Sequence, residues 1–284
     1  MSSNPTHSPA PGSRPEGALS ESDASQKVRA MFTDIAPTYD SLNHILSVNI
    51  DRLWRARTAK LLRPILQRED AVVLDLCCGT GDLALALRAR GAAKVIGADF
   101  AHTMLTRARA KSAGGAPGNS KKGVILSEAK DLSENRQPDS ESSPSLSPSL
   151  LFAEADALRL PFADSTFDLV TTAFGFRNLA NYEAGLREIR RVLKRGGTIA
   201  ILEFTEPPDN LLGNLYRWYF RRVLPRLGAW LSGDKHAYTY LPKSVSRFFQ
   251  PAELSAFLTS IGYQSPTSHR WTLGTVALHT AIRP

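Results

Sequence analysis

The chain has 284 residues, of which 42% are hydrophobic and 22% charged, with a formal net charge of +8 and two adjacent cysteines, Cys77 and Cys78. That length suits one large domain or two small ones, and without an apolar run of about 18 residues no transmembrane helix is expected. Neighbours in a strand point to opposite faces, so a disulfide framework is excluded and no metal site is expected; the basic balance leaves nucleic acid, an anionic membrane surface or an acidic substrate to be judged from where the charges lie.

In chain order, residues 1 to 25 are rich in Ser and Pro and are expected to be disordered. They lack the apolar core of a signal peptide, so a cytosolic location is the default. Val28–Ile35 reads as a short helix stopped by Pro37. Asn49 is placed to cap a second helix from Ile50 to about Leu66, with Leu53, Trp54, Leu61, Leu62 and Ile65 as its apolar positions and Pro64 as a kink or an end. This block, residues 26–68, precedes the first strand and is expected to form a helical lid. Strands are expected at Val72–Leu76, Val95–Asp99, Leu150–Glu154, Phe167–Thr172 and Thr198–Glu203, with helices between them. Residues 112–149 interrupt the pattern with Gly, Ala, Pro, Ser and acidic residues and read as a disordered insert. A helix at Pro251–Ile261 and two strands, Tyr263–Arg270 and Thr275–Ile282, close the chain as a hairpin. The alternation predicts an α/β, Rossmann-like, doubly wound and mostly parallel seven-stranded sheet with a C-terminal antiparallel hairpin, in one domain over residues 26–284; the closing helix and hairpin resemble the class I methyltransferase arrangement.

The first strand breaks on Gly79-Thr80-Gly81, and such a turn at the carboxyl end of a parallel strand is where an open α/β sheet binds ligands. Gly79 to Ala84 fits a dinucleotide fingerprint, and Asp99 ends the next strand about 20 residues on, as that fingerprint requires. Charge separates the two cofactor classes. Asp75 and Asp82 flank the turn and would repel a pyrophosphate, whereas they suit the amine and sulfonium of S-adenosyl-L-methionine. Asp99 can accept from ribose hydroxyls in either case.

The chain resembles the quinone-biosynthesis C-methyltransferases that act on demethylmenaquinol and on the related benzoquinol precursor of ubiquinone. Four blocks carry the resemblance: Phe32 to Asp40 with Asn43, Ser47, Trp54 and Arg55; Leu74 to Asp82; Asp156-Ala157 with Leu160-Pro161-Phe162 and then Phe174 to Asn178; and Tyr240 to Val245 with Phe248. The glycine turn and Asp99 are shared by many methyltransferases, whereas the double cysteine, the Phe-Gly-Phe-Arg-Asn run and the Tyr-Asp block are narrower. The insert after Lys111 departs from the family pattern. The resemblance implies S-adenosyl-L-methionine as cofactor, held by Gly79, Thr80, Gly81, Asp99, Asp156 and Ala157. It implies a polyprenylated quinol as substrate; another small apolar phenol is the alternative.

A quinol ring carbon is a poor nucleophile until its phenol, with a pKa near 10, loses a proton, so a base or a cation favouring the phenolate is expected. The candidates are Arg177, Tyr240, His236, Tyr39 and Glu203. Arg177 comes first as a permanent cation at the end of the fourth strand, with Tyr240 second; a strand-end salt bridge is the structural alternative for Arg177. Residues 211–231 carry four arginines among aromatic and aliphatic residues, with no acid, and read either as a membrane-surface element or as a core helix. Nucleic acid is not expected, because no RNA-binding module accompanies these arginines and no Asn-Pro-Pro-Tyr-like block follows the fourth strand. Peripheral membrane contact and a homo-oligomer are left open, as is a non-catalytic membrane-surface role for the fold.

Overall fold

The computed structural model describes residues 12–13, 15–37, 39–40, 44, 47, 49–114, 149–207, 213, 217–218, 222, 240 and 243–284. Most of the expected insert and of the 211–231 segment, together with His236, lies outside the described residues.

The central sheet has seven strands: β1 (Val72–Leu76), β2 (Lys94–Asp99), β3 (Ser149–Glu154), β4 (Phe167–Ala173), β5 (Leu193–Phe204), β6 (Gln264–Trp271) and β7 (Val276–Ile282), in the order β3-β2-β1-β4-β5-β7-β6. Strands β1 to β5 pair in parallel, and β7 runs antiparallel between β5 and β6. The chain order reverses between β1 and β4, which makes the carboxyl ends of those strands the natural ligand crevice. The helices are α1 (Glu21–Ile35), α2 (Ile50–Leu61), the single turn α3 (Arg63–Leu66), α4 (Asp82–Ala89), α5 (His102–Ser112), α6 (Tyr182–Val192) and α7 (Pro251–Ser260). Among the described residues no helix is long and apolar enough to cross a membrane.

Alternation along the strands sends side chains to two cores. Leu74, Leu76, Val170, Ile199 and Ile201 pack with Leu186 and Ile189 of α6 and Leu254 and Leu258 of α7. Val73, Val95, Leu169 and Ala200 pack on the other face with Trp54, Leu62, Leu66, Leu83 and Leu87. At the amino end of the sheet, Asp168 of β4 staples three elements. It accepts from the Val72 amide of β1 at 2.9 Å, from Arg68 at 2.7 Å and from Lys194 of β5 at 2.7 Å.

Three expectations are corrected. Ser13 is buried against the domain, and the first helix starts at Glu21, inside the stretch expected to be disordered. Ser20 caps it, its side chain accepting from the Asp23 amide, and the Ser-x-x-Asp spacing was a readable start signal. Asn49 does not cap α2 with its side chain; it turns the chain at φ 60 instead. Leu53 and Leu61 face solvent, because Trp54, Thr58 and Leu62 take the inward stripe of the helix. Pro64, unable to donate to the carbonyl four residues back, ends α2 and opens the separate turn α3.

Burial alone would raise the pKa of Asp168, but the Lys194 hydrogen bond, the Val72 amide and the Lys194 and Arg68 charges outweigh it and hold the carboxyl below its ordinary range. A depressed carboxylate stabilises the fold fully above its unfolded pKa of about 4, and that stability is lost as pH falls through the lower folded value. Asp168→Ala is therefore expected to cost about 2 kcal/mol in denaturant unfolding at neutral pH, and the gap to the parent chain should shrink as the acid limb is entered.

Candidate active site

The carboxyl ends of β1, β2, β3 and β4 surround an open cleft, the place where small-molecule sites form in such sheets. Cys77 and Gly79 follow β1, Asp99 and Phe100 end β2, Asp156 and Ala157 follow β3, and Phe174 and Asn178 follow β4; Ser25 and Phe32 of α1 and Tyr39 also line it.

The turn after β1 exists because of backbone angles that few side chains accept. Cys77 and Gly79 both have φ 54, and Gly81 has φ 83. Phe174 at the end of β4 has φ 59, so two neighbouring strands stop in strained conformations on the same cleft. The two strand ends touch: a Cβ at Gly175 would lie 2.4 Å from the Cys77 Cβ. Both cysteines are half-buried, and desolvation followed by the repulsion of Asp99 and Asp75 pushes their thiol pKa values well up, which suits packing groups better than nucleophiles.

Asp99 is the organising acid. Its Oδ2 accepts from the Gly79 amide at 2.9 Å and its Oδ1 from the Ala101 amide at 2.9 Å. Burial pushes its pKa up, opposed by these backbone amides and by Arg29. Each oxygen keeps lone-pair capacity for a further donor, which suits a ribose diol. Asp156 stands exposed at the rim, with Oδ1 accepting from the Leu158 amide at 2.9 Å, and Ala157 lies beside it on the cleft. An acidic pair on a strand-end cleft with apolar walls at Phe100, Met104 and Leu158 fits an uncharged nucleoside moiety.

Thr80 and the flanking acids sit elsewhere. Thr80 is buried; its hydroxyl donates to Asp40 at 2.5 Å and accepts from Lys111 at 2.8 Å. Lys111 also binds Asp40 and Asp82, and Arg55 binds Asp82 at 3.1 Å. His44, Asp51 and Asp82 come within 4.8 Å of one another, but Arg55 bridges the two acids. Asp75 is buried with Oδ1 accepting from Thr171 at 2.8 Å. Burial pushes its pKa up to about 7, against the smaller pull of Thr171, the Ala84 amide and Arg55. The charge argument that separated the cofactor classes thus loses its two acids: Asp82 is neutralised by cations and Asp75 titrates near neutrality beneath the cleft floor.

Arg177 is behind the wall and not in the cleft. It lies in the 3-10 turn Phe176–Asn178 and is buried. Its Nη1 pairs with Glu203 Oε2 at 3.0 Å and also donates to the Phe174 carbonyl, while its backbone amide donates to Glu203 Oε1 at 3.1 Å. Glu203 is wholly buried, and burial pushes its pKa up against the Arg177 charge. A charge in that position needs a partner, and Arg177 supplies it. The strand-end salt bridge is the arrangement found.

Tyr240 stands next to this wall. Its hydroxyl donates to Asn178 Oδ1 at 3.0 Å and lies 2.7 Å from Ser13 Oγ. Among the described residues the Asn178 amide nitrogen has one contact, 3.5 Å to the Phe174 carbonyl, and Asn178 lines the cleft. Asn178 is a functional candidate missed in the sequence, although it closes the Phe-Gly-Phe-Arg-Asn run. The roof is fixed at both ends: the Ser13 amide donates to the Leu179 carbonyl at 2.7 Å, Asn181 donates to Glu21 at 3.1 Å, and Arg29 pairs with Glu154.

The model of the ubiE/COQ5 methyltransferase family matches residues 20–143 and 125–283. A demethylmenaquinone methyltransferase of Thermus thermophilus is 44% identical over 255 residues, spanning 89% of this chain and 100% of that protein. The ubiquinone/menaquinone biosynthesis C-methyltransferase UbiE of Geobacter sulfurreducens is 37% identical, spanning 90% and 88%. A solved SAM-dependent methyltransferase of Thermotoga maritima has a TM-score of 0.56 at 16% identity, spanning 89% of this chain and 100% of that one, a likeness of fold alone.

With S-adenosyl-L-methionine at about 100 times its Kd, mass action adds about 2.7 kcal/mol, a rise in Tm of roughly 5 °C for a chain of this size. Asp99→Ala is expected to abolish that rise in differential scanning fluorimetry. A full rise in the variant would remove Asp99 from the cofactor site.

Proposed function

The chain belongs to the ubiE/COQ5 methyltransferase family, and on that footing we propose that it transfers the methyl group of S-adenosyl-L-methionine to a ring carbon of demethylmenaquinol, giving menaquinol. The benzoquinol precursor of ubiquinone is a second acceptor, supported by the name of the Geobacter relative. The observation that carries the reading is the composition of the cleft: an acid fit for a ribose at one end, and at the other an apolar wall bearing Asn178, whose amide nitrogen makes one long contact among the described residues.

The cofactor, when bound, supplies a methyl carbon already activated by its sulfonium. Asp99, Gly79, Asp156 and Ala157 would hold it. What remains for this chain is to align the acceptor, stabilise its phenolate and keep water out. Asn178 does the stabilising: Tyr240 occupies its oxygen, which leaves Nδ2 to donate to a quinol oxygen as that oxygen becomes anionic. Burial first, and the Glu203 charge with it, push the Tyr240 pKa up against Ser13 and Arg177, so Tyr240 stays protonated and orients Asn178 instead of acting as the base. Arg177 acts one step further back, holding Phe174 and Glu203 so that the turn bearing Asn178 keeps its shape. Ser25, Phe32 and Tyr39 close the roof over the reacting atoms. The prenyl chain of the acceptor leads out of the cleft towards a bilayer, which makes peripheral membrane contact part of the reading.

Labelled methyl should pass from S-adenosyl-L-methionine to chemically reduced demethylmenaquinone and not to the oxidised quinone, which has no phenol to ionise. Retained cofactor binding without transfer to the quinol would remove that acceptor.

A further inference from the structure

Bulky apolar side chains stand in solvent around one end of the molecule. On α2, Ile50 is 36% exposed and Leu53 47%; Leu273, in the turn between β6 and β7, is 64% exposed and Trp218 59%. Contacts join them. Trp54 Nε1, next to Leu53, donates to Thr272 Oγ1 at 2.8 Å, which ties α2 to the turn. The Thr205 amide donates to the Thr275 carbonyl at 2.9 Å, and Arg217 donates to the Pro207 carbonyl at 2.9 Å, which brings Trp218 to the same end of β5. That is the carboxyl end of the parallel strands, where the cleft opens.

Leu273 is unfavourable twice. Its φ is 57, an angle a leucine rarely adopts, and its side chain projects into water. Packing inside the domain explains neither feature, and strain held at an exposed site points to a use. The charges nearby are mostly basic, with Glu206 a half-buried acid at the end of β5. Arg52, Arg57 and Lys60 are exposed on α2, whereas Asp51, the acid of that helix, is buried against Ser47, His44 and Arg55. Arg222 is exposed close to Trp218 in the chain, and residues 210–231 contain no acid.

We propose that the outer stripe of α2, the β6–β7 turn and Trp218 form a docking surface for an anionic phospholipid bilayer, which places the mouth of the cleft at the membrane. Apolar side chains enter the headgroup boundary while the surrounding arginines and lysine meet anionic lipid. The purpose of the surface rests on the quinol reading, since a prenylated acceptor resides in that bilayer; the binding itself does not.

The full chain, with neither quinol nor cofactor added, is mixed with vesicles of phosphatidylcholine alone or with phosphatidylglycerol, and sedimented. Binding is expected on the anionic vesicles and should weaken with salt. Arg52→Gln and Arg57→Gln should each weaken it about fivefold, and Leu53→Gln with Leu273→Gln about tenfold or more. Leu273→Gly relieves the backbone angle and so cannot fail by unfolding; it should keep the Tm and still lose vesicle binding. Methyl transfer to a short-tailed, water-soluble quinol should be unchanged in these variants. Equal binding to both vesicle types, or variants that bind like the parent, would overturn the proposal. A dimer that Leu53→Gln with Leu273→Gln splits, without change in vesicle binding, would also overturn it and assign the surface to a second copy of the chain. Vesicle binding as expected, with no transfer to any quinol, would uphold the docking surface and refute only the acceptor.

Discussion

A single buried carboxylate holds the business end of this sheet together. Asp99 accepts from Gly79 on one oxygen and from Ala101 on the other, so it joins the turn after β1 to the start of α5. That pair of bonds, with the Cys78 amide donating to the Ala98 carbonyl at 3.0 Å, anchors the turn through Cys77 and Gly79, both at φ 54. The glycines at 97 and 175 follow from the same crowding: a Cβ at Gly97 would lie 2.7 Å from Phe152 and one at Gly175 2.4 Å from Cys77. The cleft is what remains when four strand ends are drawn this close.

The opposite wall is built by charge. Glu203 has no access to water, and an isolated carboxylate there would cost several kcal/mol. Arg177 neutralises it and also holds the Phe174 carbonyl, so one guanidinium fixes both the end of β5 and the strained end of β4. That double duty explains why the cation that attracts attention in the sequence is not on the cleft surface. The adjacent residue, Asn178, lines the cleft instead, and Tyr240 and Ser13 set its orientation from behind.

The strands were legible because their apolar runs are bounded by glycines and acids; β1 to β4 appear close to where those runs put them, whereas β5 starts at Leu193, ahead of the expected Thr198. Asp99 and Asp156 were legible because successive strand ends are a position defined by topology alone. Side-chain partners across the fold were not. Nothing local in Gly-Thr-Gly says that the Thr80 hydroxyl turns to Asp40, 40 residues away in the chain, or that Lys111 and Arg55 absorb the charge of Asp82. In α2 the leucines misled because hydrophobicity does not reveal which of two stripes faces inward; Trp54 and Leu62 took the core and left Leu53 and Leu61 outside. The start of α1 was readable from Ser20 and Asp23, but a tail rich in Ser and Pro obscured it.

The most direct test of the account is the position of the new methyl group. Reduced demethylmenaquinone is incubated with the full chain and methyl-labelled S-adenosyl-L-methionine, and the product is read by carbon NMR. The account predicts label on a ring carbon, as expected when an aligned phenolate delivers its electrons through the ring. Label on oxygen would contradict it, because the cleft would then be holding the phenol as the nucleophile and not as the group that activates one.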